Sequence, residues 1–314
     1  MKVYENRASA VLYYFLTSNI IEYPYPFLLP ANVCPVVPLT FLKAQIPFEF
    51  VDIDETHAMN KDICLEKLKN NNYGGVLFVH AYGKNFDNTE FYAQIKAIKK
   101  DILIIDDRCL CVPRLTEKVL PHIDLELYST GYAKYVELSY GGWGIIKDEL
   151  NYQRQEIIFD SGELKAQMDY IRYCLDNKKI YNLQEFNHWM DGSGIENLSS
   201  YLKGVEANLL FTQEHKKVIN KIYVDRLPKE IQWGSDYSDW RFMIQVDNRS
   251  DILKAIFEAG VFAGTNFPSV AYLFHGQYLD VAEKESGVIV NLFNDFRIDE
   301  ETANRLCEII NSKL

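Results

Sequence analysis

The chain has 314 residues, 48% of them hydrophobic and 25% charged, a composition that suits an ordinary globular protein with one large domain and a smaller one. A formal net charge of -11 argues against nucleic acid or an anionic membrane surface as the main partner. The N-terminus has no secretory pattern, no apolar run is long enough to span a bilayer, and six scattered cysteines (Cys34, Cys64, Cys109, Cys111, Cys174, Cys307) read as buried free thiols, so the expected location is cytoplasmic.

Taken in chain order, Asn6-Arg7-Ala8-Ser9-Ala10 opens a helical run that continues to Asn19. A helix this close to the start leaves free backbone N–H groups at residues 7 to 10, a natural seat for a phosphate. Ser9 as a plain helix N-cap explains the same residues equally well. Two short apolar strands follow, Phe27–Leu29 and Phe48–Val51, bracketing a segment whose Pro35 and Pro38 suit a first helical turn.

From 61 to 107 the pattern runs helix, strand, helix, strand, with continuous apolar strands. That rhythm predicts a mostly parallel sheet covered by helices on both faces. Functional groups in such sheets gather at strand C-terminal ends, where His80 and the pair Asp106-Asp107 both stand. A lone histidine there is as often structural. A carboxylate at the end of a buried strand needs a cationic partner, and alternation along the strand lets only one of the two acids face a given side. Cys109-x-Cys111 reads as packing rather than as a metal pair.

The stretch 124–146 is the most informative. It begins as a strand with Leu125 and Leu127, breaks at Ser129-Thr130-Gly131, offers Lys134 among Tyr132, Ala133, Tyr135 and Val136, and turns at Gly141-Gly142. Desolvation among such neighbours lowers a lysine pKa and makes the neutral amine available as a nucleophile. A lone lysine is otherwise most often a surface group. The residues from 147 to about 181 are charged and helical, and Asn197 opens a long amphipathic helix. After Pro228 the pattern (strand 240–246, helix 250–260, strands 261–267 and 288–293, helix to the end) predicts a small α+β unit. The expected division is 1–205 for a large α/β domain and 206–314 for a smaller one begun by the long linking helix.

A serine five residues before Lys134 and a Gly-Gly pair seven and eight residues after it resemble the cofactor-lysine segment of the DegT-type sugar aminotransferases, pyridoxal-phosphate enzymes of fold type I. The resemblance spans nearly the whole chain, down to 290–297, where an apolar strand is followed by Asp295-x-Arg297. It implies the fold type I architecture and pyridoxal 5'-phosphate held covalently by Lys134. It also implies a phosphate bound by Ser129 and by the helix start at Arg7, Ala8 and Ser9, with Asp107 on the ring nitrogen. His80 matches the histidine of the family's Val-His-x-Tyr-Gly segment. Cys34 falls where the family places an aromatic against the ring, Leu110 where it places His or Gln, and the Asn and Arg that reach the partner subunit's phosphate have no match in register.

The implied activity is amino transfer from an amino acid such as glutamate to a keto group on a nucleotide-linked sugar, by a homodimer, with no nucleic-acid or membrane partner and no metal. Two other readings stay open: a relative that binds cofactor or sugar without transaminating, and a different pyridoxal-phosphate reaction such as elimination. The family's dehydratases replace the lysine with histidine, so Lys134 speaks against the last.

Overall fold

The computed structural model describes residues 1–20, 24–115, 118–182 and 186–314. Its centre is a seven-stranded sheet in the order β1-β7-β6-β5-β4-β2-β3. The strands are β1 (Lys2–Glu5), β2 (Phe27–Pro30), β3 (Phe48–Val51), β4 (Gly75–Val79), β5 (Leu103–Asp107), β6 (Leu125–Ser129) and β7 (Gly142–Ile146). From β3 to β6 all neighbours are parallel, while β7 runs antiparallel to both β6 and β1.

Strand alternation sorts the apolar residues into two layers. Leu77, Val79, Ile105, Leu125 and Leu127 pack with α1 (Ala8–Asn19) and α2 (Val36–Lys43). Val76, Phe78 and Ile104 pack on the other face with α3 (Lys61–Asn70) and α4 (Thr89–Ile98). Both faces are therefore covered, which is why β4 reads as an unbroken apolar run. The mostly parallel sheet between helices is the α/β architecture expected from the sequence.

Helix α5 spans Ser161–Asp176 and is capped by Asp160, whose Oδ1 accepts from the Gly162 N–H at 2.7 Å. Only this part of the charged stretch 147–181 is α-helical. Asn197 caps α6 (Leu198–Arg226), accepting from the Ser200 N–H at 2.9 Å. A second sheet, β8 (Phe242–Gln245), β10 (Ile289–Leu292) and β9 (Ala263–Gly264), is antiparallel in the order β8-β10-β9. Its core takes Ile219 and Tyr223 from α6, Ile252 and Ile256 from α7 (Arg249–Glu258), and Leu306 and Ile310 from α10 (Glu300–Asn311).

The expected strand 261–267 contracts to two residues. Between β9 and β10 the chain forms α8 (Ala271–His275) and α9 (Asp280–Val288), which the sequence reading passed over. All six cysteines are free. Among the described residues no helix is long and apolar enough to cross a membrane.

Candidate active site

The C-terminal ends of β5 and β6 deliver the first groups. Asp107 closes β5 on the same side as Ile105, and Ser129 closes β6 on the same side as Leu127, so both face the α1 layer. The Asp107 carboxylate accepts from the Cys109 backbone N–H at 2.9 Å. Burial, then the Asp107 carboxylate, pushes the Cys109 thiol well above its ordinary value, while the Lys134 ammonium pulls the other way and Cys34 lies within electrostatic reach. Asp107, Lys134 and Cys34 thus all lie within electrostatic reach of one thiol.

The start of α1 lies against the same edge. Arg7 is extended and makes no side-chain cap, and no acidic residue occupies the first turn. The Ala10 N–H already donates to the Arg7 carbonyl at 3.1 Å, while among the described residues the N–H groups of Ala8 and Ser9 have no backbone acceptor and stand at the positive end of the helix dipole. Beside them the Arg7 guanidinium donates to the Ser139 carbonyl at 2.9 Å. A Cβ on Gly131 would stand 3.4 Å from the Ser129 hydroxyl and 3.9 Å from a terminal nitrogen of Arg7, so these two side chains flank one short backbone stretch. Gly142 is required here, because a Cβ on it would lie 2.6 Å from the Ala8 nitrogen. The glycine lets β7 pass directly under the helix start. A hydroxyl, a guanidinium and uncapped helical N–H groups form a seat for a phosphate.

Lys134 rides a loop closed on itself. The Thr130 hydroxyl donates to the Tyr140 carbonyl at 2.7 Å and pairs with the Tyr201 hydroxyl at 2.8 Å, while the Leu138 N–H donates to the Thr130 carbonyl at 2.8 Å. Ala133 adopts a left-handed conformation, φ 55°, at a cost of about 1 kcal/mol or more. Two contacts hold it: its N–H donates to Glu137 at 2.7 Å, and its carbonyl accepts from the Trp240 indole N–H at 2.7 Å. Glu137 in turn receives Arg297 through both oxygens at 2.6 Å. Lys134 itself is half-buried and, among the described residues, carries no hydrogen bond or ion pair.

His80 is the candidate that the structure does not bring to this side. It follows β4 on the Phe78 side and is fully buried. The Phe86 N–H donates to Nδ1 at 3.0 Å, so Nε2 carries the hydrogen and donates to Asp106 at 2.9 Å. Arg108 donates to the same carboxylate at 2.5 Å, and so does the Tyr92 hydroxyl. Burial would raise the Asp106 pKa, but His80, Arg108 and Tyr92 outweigh it and hold it at about 2. His80 is thus removed from the cofactor set: it belongs to a buried polar network under the opposite face. Cys34, at the turn into α2, is half-buried and unpaired, and Leu110 is buried.

Trp240, Tyr201 and Arg297 were not assigned roles from the sequence. They come from the C-terminal part of the chain and hold the lysine loop across more than 70 residues of separation. The resemblance of the Asp295-x-Arg297 stretch was the one signal pointing at Arg297.

No family model and no curated relative matches the chain. Solved structures do. The sugar aminotransferase CalS13 from Micromonospora echinospora matches over 100% of this chain and 87% of its own, with a TM-score of 0.70 at 15% identity. A DegT DnrJ EryC1 StrS aminotransferase from Brucella abortus matches over 99% and 85%, with a TM-score of 0.68 at 14% identity. The GDP-4-keto-6-deoxy-D-mannose-3-dehydratase of E coli, with bound hydrated PLP, matches over 98% and 87%, with a TM-score of 0.66 at 14% identity. At such identities the likeness is one of fold: the chain has the fold of the DegT-type sugar aminotransferases.

Proposed function

We propose that this protein is a pyridoxal-phosphate-dependent aminotransferase of the DegT type, moving an amino group from an amino acid such as glutamate to a keto group on a nucleotide-linked sugar. The observation that carries the reading is the convergence of Lys134, Asp107, Ser129 and the uncapped start of α1 on one edge of the sheet. A phosphate seat, an amine with no partner among the described residues and a strand-end carboxylate fit this cofactor's three functional parts.

Ser129, Arg7 and the N–H groups around Ala8 and Ser9 receive the phosphate. Asp107 would pair with the ring nitrogen and hold a proton there. Lys134 Nζ would hold the cofactor, and its amine is the group that would take up and return a proton at the reacting centre. When bound, the cofactor supplies an aldehyde for amines and a ring that withdraws electron density. Cys34 would offer the ring a thiol where an aromatic would stack. The closed loop 130–141 keeps Lys134 at a fixed depth.

The fold likeness to sugar aminotransferases supports the substrate class, and the exposed Tyr132 and Tyr140 on the lysine loop support a homodimer that covers this edge. The test is direct. Purified protein mixed with pyridoxal phosphate gives a new visible absorption band, and borohydride fixes the cofactor on the peptide that contains Lys134. The same labelled peptide from Lys134→Ala sinks the reading.

Cys34 and Leu110 favour a second reading, a relative that binds the cofactor without transaminating. L-glutamate added to the loaded protein separates the two: bleaching of the visible band with release of 2-oxoglutarate marks the aminotransferase. An unchanged band with every common amino donor marks the binding protein.

A further inference from the structure

Lys216 of α6 is a buried amine that the proposed chemistry leaves unused. It is only 4% exposed, and burial lowers its pKa to about 7. Among the described residues it makes no ion pair, and the charges it feels oppose each other, Asp295 and Asp239 against Arg241 and Arg297. An apolar side chain would fill this space without the cost of desolvating an amine, so the reason for a lysine lies in what its N–H groups hold.

Lys216 Nζ donates to the Trp240 carbonyl at 2.7 Å and to Asn294 Oδ1 at 2.5 Å. Asn294 is itself fixed. Its amide N–H groups go to Asn220, one turn along the same helix, at 2.8 Å and to the Ser238 carbonyl at 2.7 Å, which leaves Oδ1 for Lys216. The Trp240 backbone is also pressed against Gly83, φ 86°, where an added Cβ would lie 2.8 Å from the Trp240 nitrogen. The Trp240 ring stacks on Phe267 with centroids 5.4 Å apart. Backbone and ring are thus held together, and from that position the indole N–H reaches the Ala133 carbonyl at 2.7 Å.

The same amine meets the other flank of the lysine. Lys216 Nζ lies 5.3 Å from the centre of the ring of Tyr135, which is buried. Ala133 and Tyr135 are the two neighbours of Lys134, and the left-handed Ala133 persists only with support from outside its own loop. One buried amine therefore reaches both sides of the residue between them.

We propose that Lys216 is a positioning residue for Lys134, fixing Ala133 through Trp240 and Tyr135 directly, so that the reactive amine keeps one place. Its part in the reaction rests on Lys134 being the reacting centre, as argued above.

Hydrogen–deuterium exchange of the purified protein, without added cofactor, reads the loop itself. In Lys216→Met, which keeps the length and removes the N–H donors, peptide 130–141 exchanges at least about tenfold faster than in wild type, while 219–226 of the same helix and β8 keep their rates. Lys216→Arg, which retains N–H donors, recovers part of the protection. In the cofactor-loaded enzyme, Lys216→Met bleaches the visible band at least about tenfold more slowly at saturating L-glutamate, with the half-saturating concentration near wild type. Wild-type exchange in 130–141 overturns the positioning role, and so does equal acceleration of 130–141, 219–226 and β8, which marks packing alone. If Lys216→Met does not fold, as judged by near-UV circular dichroism, Lys216→Gln decides on the same peptides: faster exchange confined to 130–141 supports the role, and unchanged or general exchange overturns it. The exchange measurement contains no cofactor, so a failed Lys134 label sinks the proposed function alone, whereas loop exchange indifferent to residue 216 sinks the positioning role alone.

Discussion

The adjacent acids Asp106 and Asp107 show how one strand step separates two jobs. Asp107 ends β5 on the α1 side with Ser129, while Asp106 is the hub of His80, Arg108 and Tyr92 on the other side. Their substitutions should therefore leave opposite signatures. Asp107→Asn abolishes amino transfer to a bound keto acid and leaves the melting temperature near wild type. Asp106→Asn lowers stability by about 3 kcal/mol, because Arg108 loses its buried counter-ion, and affects transfer far less. Loss of transfer in Asp106→Asn with full stability would mean that the two faces have been exchanged. Position 34 is a second residue-scale test. A stacked aromatic adds about 0.5–1.5 kcal/mol beyond area burial, so Cys34→Phe should tighten cofactor binding by up to roughly tenfold if position 34 faces the ring. Equilibrium dialysis reads this directly, and an unchanged affinity places Cys34 away from the ring.

At the scale of elements, the lysine loop is a device assembled from both ends of the chain. Gly142 lets β7 run beneath the start of α1, Tyr201 of α6 closes the loop at Thr130, and Trp240 and Arg297 brace it from the C-terminal sheet. Arg297 donates to both oxygens of Glu137, and Glu137 holds the Ala133 N–H in its left-handed turn. Removing the guanidinium leaves Glu137 half-satisfied and lets Lys134 wander. Arg297→Gln is expected to slow borohydride fixation of the cofactor on Lys134 by about tenfold or more, with the conservative Arg297→Lys recovering part of it. A labelling rate equal to wild type in Arg297→Gln would show that the loop holds its shape without this brace.

The whole molecule inherits a pH dependence from the Asp106 network. Its folded pKa, about 2, lies below the ordinary 3.8. A depressed carboxylate contributes stability that is fully present above the unfolded value and fades as pH falls through the folded one. The window is thus roughly pH 4 down to 2, and the contribution is about 2 kcal/mol. Chemical denaturation at pH 5 and pH 2.5 should show wild type losing more stability across this window than Asp106→Asn, whose side chain cannot titrate. Equal losses would show that Asp106 does not drive the acid response.

Much of this architecture is written locally. Unbroken apolar runs at 75–79 and 102–105 mark strands buried on both faces, and the intervening helical repeats mark the crossovers, because each pattern depends only on neighbours along the chain. The spacing of Ser129, Lys134 and Gly141-Gly142 is equally local, since one strand end and one turn carry all of it. Strand β1 stayed illegible: four residues of mixed character become a strand only because β7 lies beside them. His80 also reads as a site residue until the sheet register turns it toward Asp106. Glu137 and Arg297 meet across 160 residues. Periodicity encodes which way a side chain points within its own element. Which groups come to share one site is decided only when packed layers exclude water and bring distant segments to contact distance.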